Sequence, residues 1–490
     1  MSDLKWKLNP NRLKRYPHFD GDISISDAEM LVNDPERVAK HMFYPFIMVV
    51  KQWRQYAKNG EKRELKTRPI RYAARADAYI FSKYRHQLSC HYEKMLADLD
   101  LSQNIVAYRR IPVGLKKGGK CNIHFAKEVF DEIKSQGECC AIALDISKFF
   151  ESLDHQILKK QWCRLLNSEK LPPDHFAVFK AITKYSIVDK INLYERLGHY
   201  GFTPTLPGKK PQKGYLTPKN LIPRQLCLGR VFREKIAGGN EQKNLIEMNF
   251  EEFGIPQGSP ISDLLANIYL LDFDIYIKNY VKSFNGFYMR YSDDIMVIAP
   301  VSSAKSLEIE KHIRTEVKKF GAKIQIKETK SAILRFWRNA SNQNFEVVFD
   351  GQRNKGRKTL NGIDYLGFRF NGKNVYIRDS TLANLWRKIS RTCRQAAISN
   401  VKRFRNLDGA IIKKTFDYDR IVKKFGRVES FEEISGEFKS WTFWTYALRS
   451  AEIFGPPGLP IIRQLKNHRA KIKKRVDQEI DIAVSRRVKR

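Results

Sequence analysis

The sequence predicts an α+β fold, and three observations carry that expectation. The run Ala141-Ile142-Ala143-Leu144 is apolar over four residues and ends in Asp145, the pattern of a buried strand whose last side chain reaches a cleft. Two further apolar runs, Phe287-Tyr288-Met289-Arg290 and Ile295-Met296-Val297-Ile298-Ala299, bracket Tyr291-Ser292-Asp293-Asp294 and read as the arms of a hairpin. Elsewhere the period is helical: apolar positions recur at that spacing after the loop Gly254-Ile255-Pro256-Gln257-Gly258-Ser259-Pro260-Ile261-Ser262, and again beyond residue 383.

From the N-terminus, residues 1–60 mix helix-like apolar spacing, as over His41–Val50, with charge, and are expected to form an N-terminal extension. A basic segment follows, Lys66-Thr67-Arg68-Pro69-Ile70-Arg71. Residues 196–240 differ in texture. Pro204, Pro207, Pro211, Pro218 and Pro223 alternate with glycines and basic residues, a density that breaks helices and central strands alike, so the stretch reads as an irregular, basic insertion. Residues 383–424 carry twelve Lys/Arg against three Asp/Glu, with Leu385, Trp386, Ile389, Ala396, Ile398, Val401 and Phe404 as an apolar face. The cluster Trp441–Tyr446 reads as core. Past Gly455-Pro456-Pro457-Gly458, residues 461–490 hold eleven basic and three acidic residues and suggest a helical tail with a frayed end that binds nucleic acid electrostatically.

The adjacent acids Asp293 and Asp294 repel each other, and a hairpin tip that bears them between buried strands makes sense if a divalent cation offsets the charge. Asp145 is a third strand-borne carboxylate able to converge on the same place. Two-metal phosphoryl or nucleotidyl transfer uses ions roughly 3.5–4 Å apart, and hard oxygen ligands suit Mg²⁺.

In order, these segments resemble a reverse transcriptase. The stretch around Asp145 resembles that family's first catalytic motif, the Gly254–Ser262 loop its second, and Tyr291-Ser292-Asp293-Asp294 its third. Gly321–Lys330 is similar to the next motif, and Ile363-Asp364-Tyr365-Leu366-Gly367-Phe368-Arg369-Phe370 to the hairpin that grips the primer. Lys66–Arg71 and Ala107–His124 resemble the segments leading in. The resemblance covers roughly residues 60–375.

It implies a right-hand polymerase. The N-terminal extension would span 1–60, fingers 61–140, a palm of antiparallel sheet and helices 141–375 with the insertion near 196–240, a helical thumb 376–450 and a basic tail 451–490. It implies Asp145 and Asp293 as principal ligands of two Mg²⁺ ions, with Mn²⁺ as substitute, Asp294 in support and the Ile146 carbonyl as an extra ligand. Phe150 would lie beneath the incoming sugar and clash with a 2′-hydroxyl. Gln257 and Gly258 would sit beside the nucleotide. Lys66, Arg68 and Arg71 would hold the triphosphate, Lys330 would act as general acid, and Tyr365, Leu366 and Gly367 would form the primer grip.

Composition agrees with such a partner: 90 Lys+Arg against 53 Asp+Glu give a net charge of +37, suited to a phosphate backbone. No run of 18 apolar residues and no apolar leader core occurs, so the expectation is a cytoplasmic protein without a membrane partner. Seven cysteines without paired C-x-x-C spacing argue against a disulfide framework or a structural zinc site.

The resemblance is greatest to stand-alone prokaryotic enzymes, many of them associated with defence against bacteriophage. It implies a structured noncoding RNA template, a DNA product and dNTP substrates, and it is compatible with a homo-oligomer. A retron-type enzyme, a protein-primed or template-independent polymerase, an RNA-dependent RNA polymerase and a catalytically idle RNA-binding scaffold are the alternatives.

Overall fold

The computed structural model describes residues 6–9, 11, 13–54, 65–114, 116–203, 211–239, 242–339, 342–351, 361–426, 431–432, 437–438 and 442–488. The expected α+β architecture is present. Its centre is a five-stranded antiparallel sheet in the order Phe287–Tyr291, Asp294–Ala299, Cys139–Asp145, Ala332–Asn339, Asn342–Asp350.

Both faces of this sheet are covered, which explains why its central strands read as unbroken apolar runs. Cys140, Ile142, Leu144, Ile295, Val297 and Ile333 point into one core, which they share with the helices Arg75–Asp98, Ser262–Tyr269 and Leu271–Lys282. Cys139, Ala141, Met296, Ile298, Leu334 and Phe336 enter a second core against the helix Asn122–Gln136 and the C-terminal region. Alternate residues of one strand thus serve two cores, as the period of two requires.

A three-stranded sheet, Ile363–Tyr365, Phe368–Phe370 and Val375–Ile377, lies in the second core. Its first turn contains only Leu366 and Gly367, with φ of +45° and +92°, the pair of positive values that a tight two-residue hairpin favours.

Two sequence expectations need correction. The region His41–Val50 is not helical: Phe46–Arg54 is a strand, paired antiparallel with Leu65–Tyr72 and parallel with Ser186–Asp189. The run of apolar residues fits either period, and pairing on both sides decides it. The insertion is only partly irregular. It carries the hairpin Tyr200–Thr203 with Gln212–Tyr215 and a short helical stretch over 229–236, and its Ile222, Leu226 and Ile236 share a core with Leu193 and Tyr194 of the preceding helix Lys190–Arg196 and with Phe19, Ile47 and Val188. Pro204 and Pro207 lie outside the described residues. The tail is helical as expected, over His468–Val488, and its Ile472, Val476 and Ile480 are buried along the helix Asp379–Arg403. That longer helix buries Leu385, Ile389, Cys393, Ala397 and Val401, while Ile398 of the expected face is exposed.

The insertion is fastened to the N-terminal segment through buried backbone. His18 N–H donates to the Arg224 carbonyl and Leu226 N–H to the His18 carbonyl, both at 2.8 Å. The buried Arg75 guanidinium donates to the carbonyls of Tyr16 and Arg224 at 2.9 Å and to the Asp20 carboxylate at 3.1 Å. No helix among the described residues is long and apolar enough to cross a membrane.

Candidate active site

The antiparallel register places Asp294 directly opposite Asp145 and ends both strands at the same edge. Asp293 occupies the turn between Tyr291 and Asp294 with Ser292, whose φ is +60°. Ile146 N–H donates to the Asp293 carbonyl at 2.9 Å, tying the turn to the end of the Asp145 strand. Three carboxylates from two distant segments thus become neighbours. The Asp294 carboxyl is pushed up to about 7, first by burial and then by the charges of Asp293 and Asp145. Asp145 is also raised, chiefly by burial, against the opposing pull of Lys330 and Lys66.

Lys330, in a short turn Glu328–Lys330, donates through Nζ to Asp145 Oδ1. Among the described residues no group of three or more His, Cys, Asp or Glu is disposed to hold a metal ion. The donor chemistry still fits a hard divalent cation: all three groups are carboxylates, and Lys330 makes its direct contact with Asp145 alone, acting on Asp294 only through space, as Arg378 does.

The other expected residues fall into two sets. Lys66 comes within electrostatic reach of Asp145, and Arg68 shares its strand face by the alternation of Leu65–Tyr72, stacked over Trp53 at 5.9 Å. Arg71 is on the opposite parity. Its backbone N–H donates to the Gln257 carbonyl at 2.9 Å, its guanidinium stacks 5.3 Å from the Tyr185 ring, and Glu151 Oε1 lies 4.0 Å away. Buried Nε and Nη1 of Arg71 have no hydrogen-bond partner. Gly258 permits this approach: its φ is +117°, and a Cβ there would lie 2.6 Å from the Arg71 carbonyl oxygen.

Phe150 is half-buried in the 3₁₀ turn Phe149–Glu151, and its carbonyl accepts from Ile255 N–H at 2.8 Å, so it adjoins the Gly254–Ser262 loop. Tyr365 is buried and its hydroxyl has no hydrogen-bond partner; the Leu366 carbonyl accepts from Asn122 Nδ2 at 3.1 Å, and the Gly367 carbonyl from Arg378 N–H at 3.0 Å. Asn122 Nδ2 also donates to the Tyr446 hydroxyl at 2.9 Å, which places part of the expected aromatic cluster in the core; Trp441 lies outside the described residues.

Sequence reasoning missed the supports of the acid turn. Arg290 and Asp274 are both fully buried and joined twice, Nε to Oδ1 at 2.7 Å and Nη2 to Oδ2 at 2.5 Å. The same guanidinium donates through Nη1 to the Ser292 carbonyl at 3.0 Å, so the pair braces the left-handed turn. The signal was present: Asp274 stands on the apolar face of Leu271–Lys282 between Leu271 and Ile277, and Arg290 ends an apolar strand. Tyr108 is the second omission. With φ of +61°, it donates its hydroxyl to Ser292 Oγ at 3.2 Å, while its carbonyl accepts from Arg85, which is bound at 2.9 Å to Asp263 in the first turn after the loop. Left-handed non-glycine residues at Tyr108, Lys148, Ser292 and Leu366 cluster around this edge, as strained backbone does where a site needs it.

The family model for reverse transcriptase (RNA-dependent DNA polymerase) matches residues 214–370, about a third of the chain. No curated protein matches the chain in sequence. Among solved structures, apo telomerase from Candida tropicalis truncated from its C-terminal domain aligns with TM-score 0.35 and 11% identity over 72% of this chain and 60% of that one. Telomerase from Candida albicans, in complex with a fragment of telomeric RNA, aligns with TM-score 0.34 and 11% identity over 92% and 67% of the two chains. A sicinivirus RNA-dependent RNA polymerase gives 0.27 and 11% over 58% and 45%. The matched region thus spans 60% of the truncated Candida tropicalis telomerase chain. The match at 214–370 takes in the Gly254–Ser262 loop, the acid turn and the Leu366-Gly367 hairpin: the chain carries a reverse transcriptase domain.

Proposed function

We propose that the chain extends a 3′-hydroxyl with deoxynucleoside triphosphates under direction of an RNA template. The observation that carries this reading is the register that sets Asp294 opposite Asp145, with Asp293 in the adjoining turn. On this reading the five-stranded sheet is the palm, the sheet bearing Lys66 and Arg68 belongs to the fingers, and the helix pair Asp379–Arg403 and His468–Val488 forms the thumb.

Asp145, Asp293 and Asp294, with the Ile146 carbonyl, would hold two divalent cations, Mg²⁺ with Mn²⁺ as substitute, which supply charge neutralisation at the attacking and leaving oxygens. Lys66 and Arg68 bind the triphosphate, and Arg71 offers its two unpaired N–H groups beside the Gln257-Gly258 backbone. Phe150 excludes a 2′-hydroxyl. Lys330, already paired with Asp145, holds a proton for the departing pyrophosphate. Tyr365, Leu366 and Gly367 hold the primer end. The biological setting proposed, on the resemblance to stand-alone prokaryotic enzymes, is copying of a dedicated noncoding RNA in antiviral defence in the cytoplasm.

The test is incorporation of dNTPs on a primed RNA template. Asp293→Asn is expected to abolish metal-dependent incorporation while RNA binding measured by gel shift stays unchanged; full activity in that variant refutes the assignment. Phe150→Ala is expected to admit ribonucleotides, and unchanged sugar discrimination removes Phe150 from this role.

A further inference from the structure

The insertion hairpin presents a surface that nucleotide addition does not use. Its register pairs Tyr200 with Tyr215, Gly201 with Gly214 and Phe202 with Lys213. Because side chains alternate, Tyr200, Phe202, Lys213 and Tyr215 share one face, while the paired glycines thin the other. On the shared face the Tyr200 and Tyr215 rings meet edge to face at 5.4 Å. Lys213 Nζ lies 5.5 Å from the Phe202 ring, steadied by Glu195 at 2.6 Å, and Lys219 Nζ lies 4.5 Å from the Tyr215 ring. Behind them the buried Tyr194 packs on Tyr215 at 6.2 Å.

Tyr200 and Tyr215 pack half-buried against the insertion's core, while Phe202 is 65% exposed and takes no part in it. The lysine contact holds the Phe202 ring in place by only about 0.5–1 kcal/mol, so the ring is free to take a second face against it. Rings flanked by lysines offer what an unpaired base needs: a flat apolar face for stacking and positive charge for its phosphate. A duplex hides its base faces and does not use such rings. Residues 186–248 carry eleven Lys/Arg against five Asp/Glu, so the charge of the whole module suits a polyanion. The module is joined to the sheet that bears Lys66 and Arg68: Ser186–Asp189, from which the module springs, pairs with Phe46–Arg54, which pairs with the strand Leu65–Tyr72.

We propose that Phe202, Lys213 and Lys219, on the face of this hairpin that Tyr200 and Tyr215 anchor, form a stacking site for single-stranded nucleic acid. Its place in strand copying rests on the function proposed above; its binding chemistry does not.

The experiment measures fluorescence anisotropy of the full chain with labelled oligo-uridine, oligo-thymidine and a blunt duplex, for wild type, Phe202→Ala, Phe202→Tyr and Lys219→Gln. Phe202→Ala is expected to weaken single-strand binding about tenfold, Phe202→Tyr to restore it, and Lys219→Gln to lower the salt-dependence slope by about 0.7. Duplex affinity is expected to stay within about twofold of wild type. The oligomer that loses more identifies the strand as RNA or DNA. Unchanged single-strand affinity in Phe202→Ala overturns the proposal, as does an equal loss on the duplex or a Phe202→Tyr variant that fails to recover. Because the readout is binding, a wild-type protein inactive in dNTP incorporation would refute the polymerase reading and leave this result standing.

Discussion

Two hairpins, the acid turn at Ser292-Asp293 and the insertion hairpin of Tyr200–Thr203 with Gln212–Tyr215, place side chains for use by opposite means. The acid turn sits at the edge of a sheet covered on both faces, and its backbone is gripped by a guanidinium with no exposure to water. The insertion hairpin is anchored through Tyr200 and Tyr215 on its own small core, and from there it holds Phe202 out in solvent by cross-strand pairing and a lysine. Fixed geometry for chemistry is built from buried, mutually satisfied charge, whereas an exposed ring needs only a register and an anchor. The two should therefore respond very differently to mutation.

The largest effect is expected at Arg290. Arg290→Met leaves the Asp274 carboxylate buried without its partner, a change that costs about 3–5 kcal/mol. Urea unfolding at neutral pH measures it. The double variant Arg290→Met/Asp274→Leu should recover much of that loss, because an apolar pair of similar volume removes the desolvation cost of both charges. Incorporation of dNTPs should not recover with it, since the Ser292 carbonyl has lost its donor. A single variant that costs less than about 1 kcal/mol would show that the turn stands without its brace.

Next in size is Gly258→Ala. A methyl group 2.6 Å from the Arg71 carbonyl must displace one of two backbones, and a φ of +117° is unfavourable to alanine in any case. The expected loss of stability is about 1–3 kcal/mol, with a raised KM for dNTPs because Arg71 and Gln257 separate. A variant with wild-type KM and unfolding midpoint would detach this loop from nucleotide binding.

The two hairpins also differ in how well they could be read beforehand. The strands around Asp145 and Asp293 were legible because burial on both faces removes polar residues from them, leaving apolar runs that end in acid. Arg290 and Asp274 were visible only as anomalies, one charge in an apolar strand and one on an apolar helix face, and nothing in linear order joins them. The insertion was misread because its prolines and glycines mask the Tyr200–Tyr215 pairing, which depends on a register fixed by tertiary packing against Phe19 and Ile47. The strand Phe46–Arg54 failed for a related reason: a short apolar run does not choose between periods until its neighbours are known.

A smaller effect concerns the seam that carries the insertion. His18 is fully buried; its Nδ1 accepts from Phe19 N–H at 2.9 Å, and Nε2 lies 3.3 Å from the Tyr72 carbonyl, with Asp20 at 4.0 Å and Arg75 as the nearest charges. Burial lowers its pKa to about 3. The unfolded chain, with histidine at its ordinary value near 6.5, takes up the proton first as pH falls. Stability from this group is therefore complete above about pH 6.5 and is lost progressively toward pH 3, about 2 kcal/mol of it by pH 5. Urea midpoints at pH 7 and 5 test it against His18→Gln, which should show the shallower decline; equal declines would mean that the seam opens without charging His18.

The smallest effect sharpens the contrast with the acid turn most directly. Phe202→Ala removes a ring that is already largely in water, so little apolar area returns to solvent on unfolding, and the lost lysine contact is worth only a few tenths to about 1 kcal/mol. Stability should change by no more than about 1 kcal/mol, the size of that contact. A calorimetric scan of Phe202→Ala beside Arg290→Met makes the comparison in one experiment. If Phe202→Ala lowers the unfolding temperature as far as Arg290→Met, the ring is packing rather than waiting for a strand, and the hairpin is held by the same means as the acid turn.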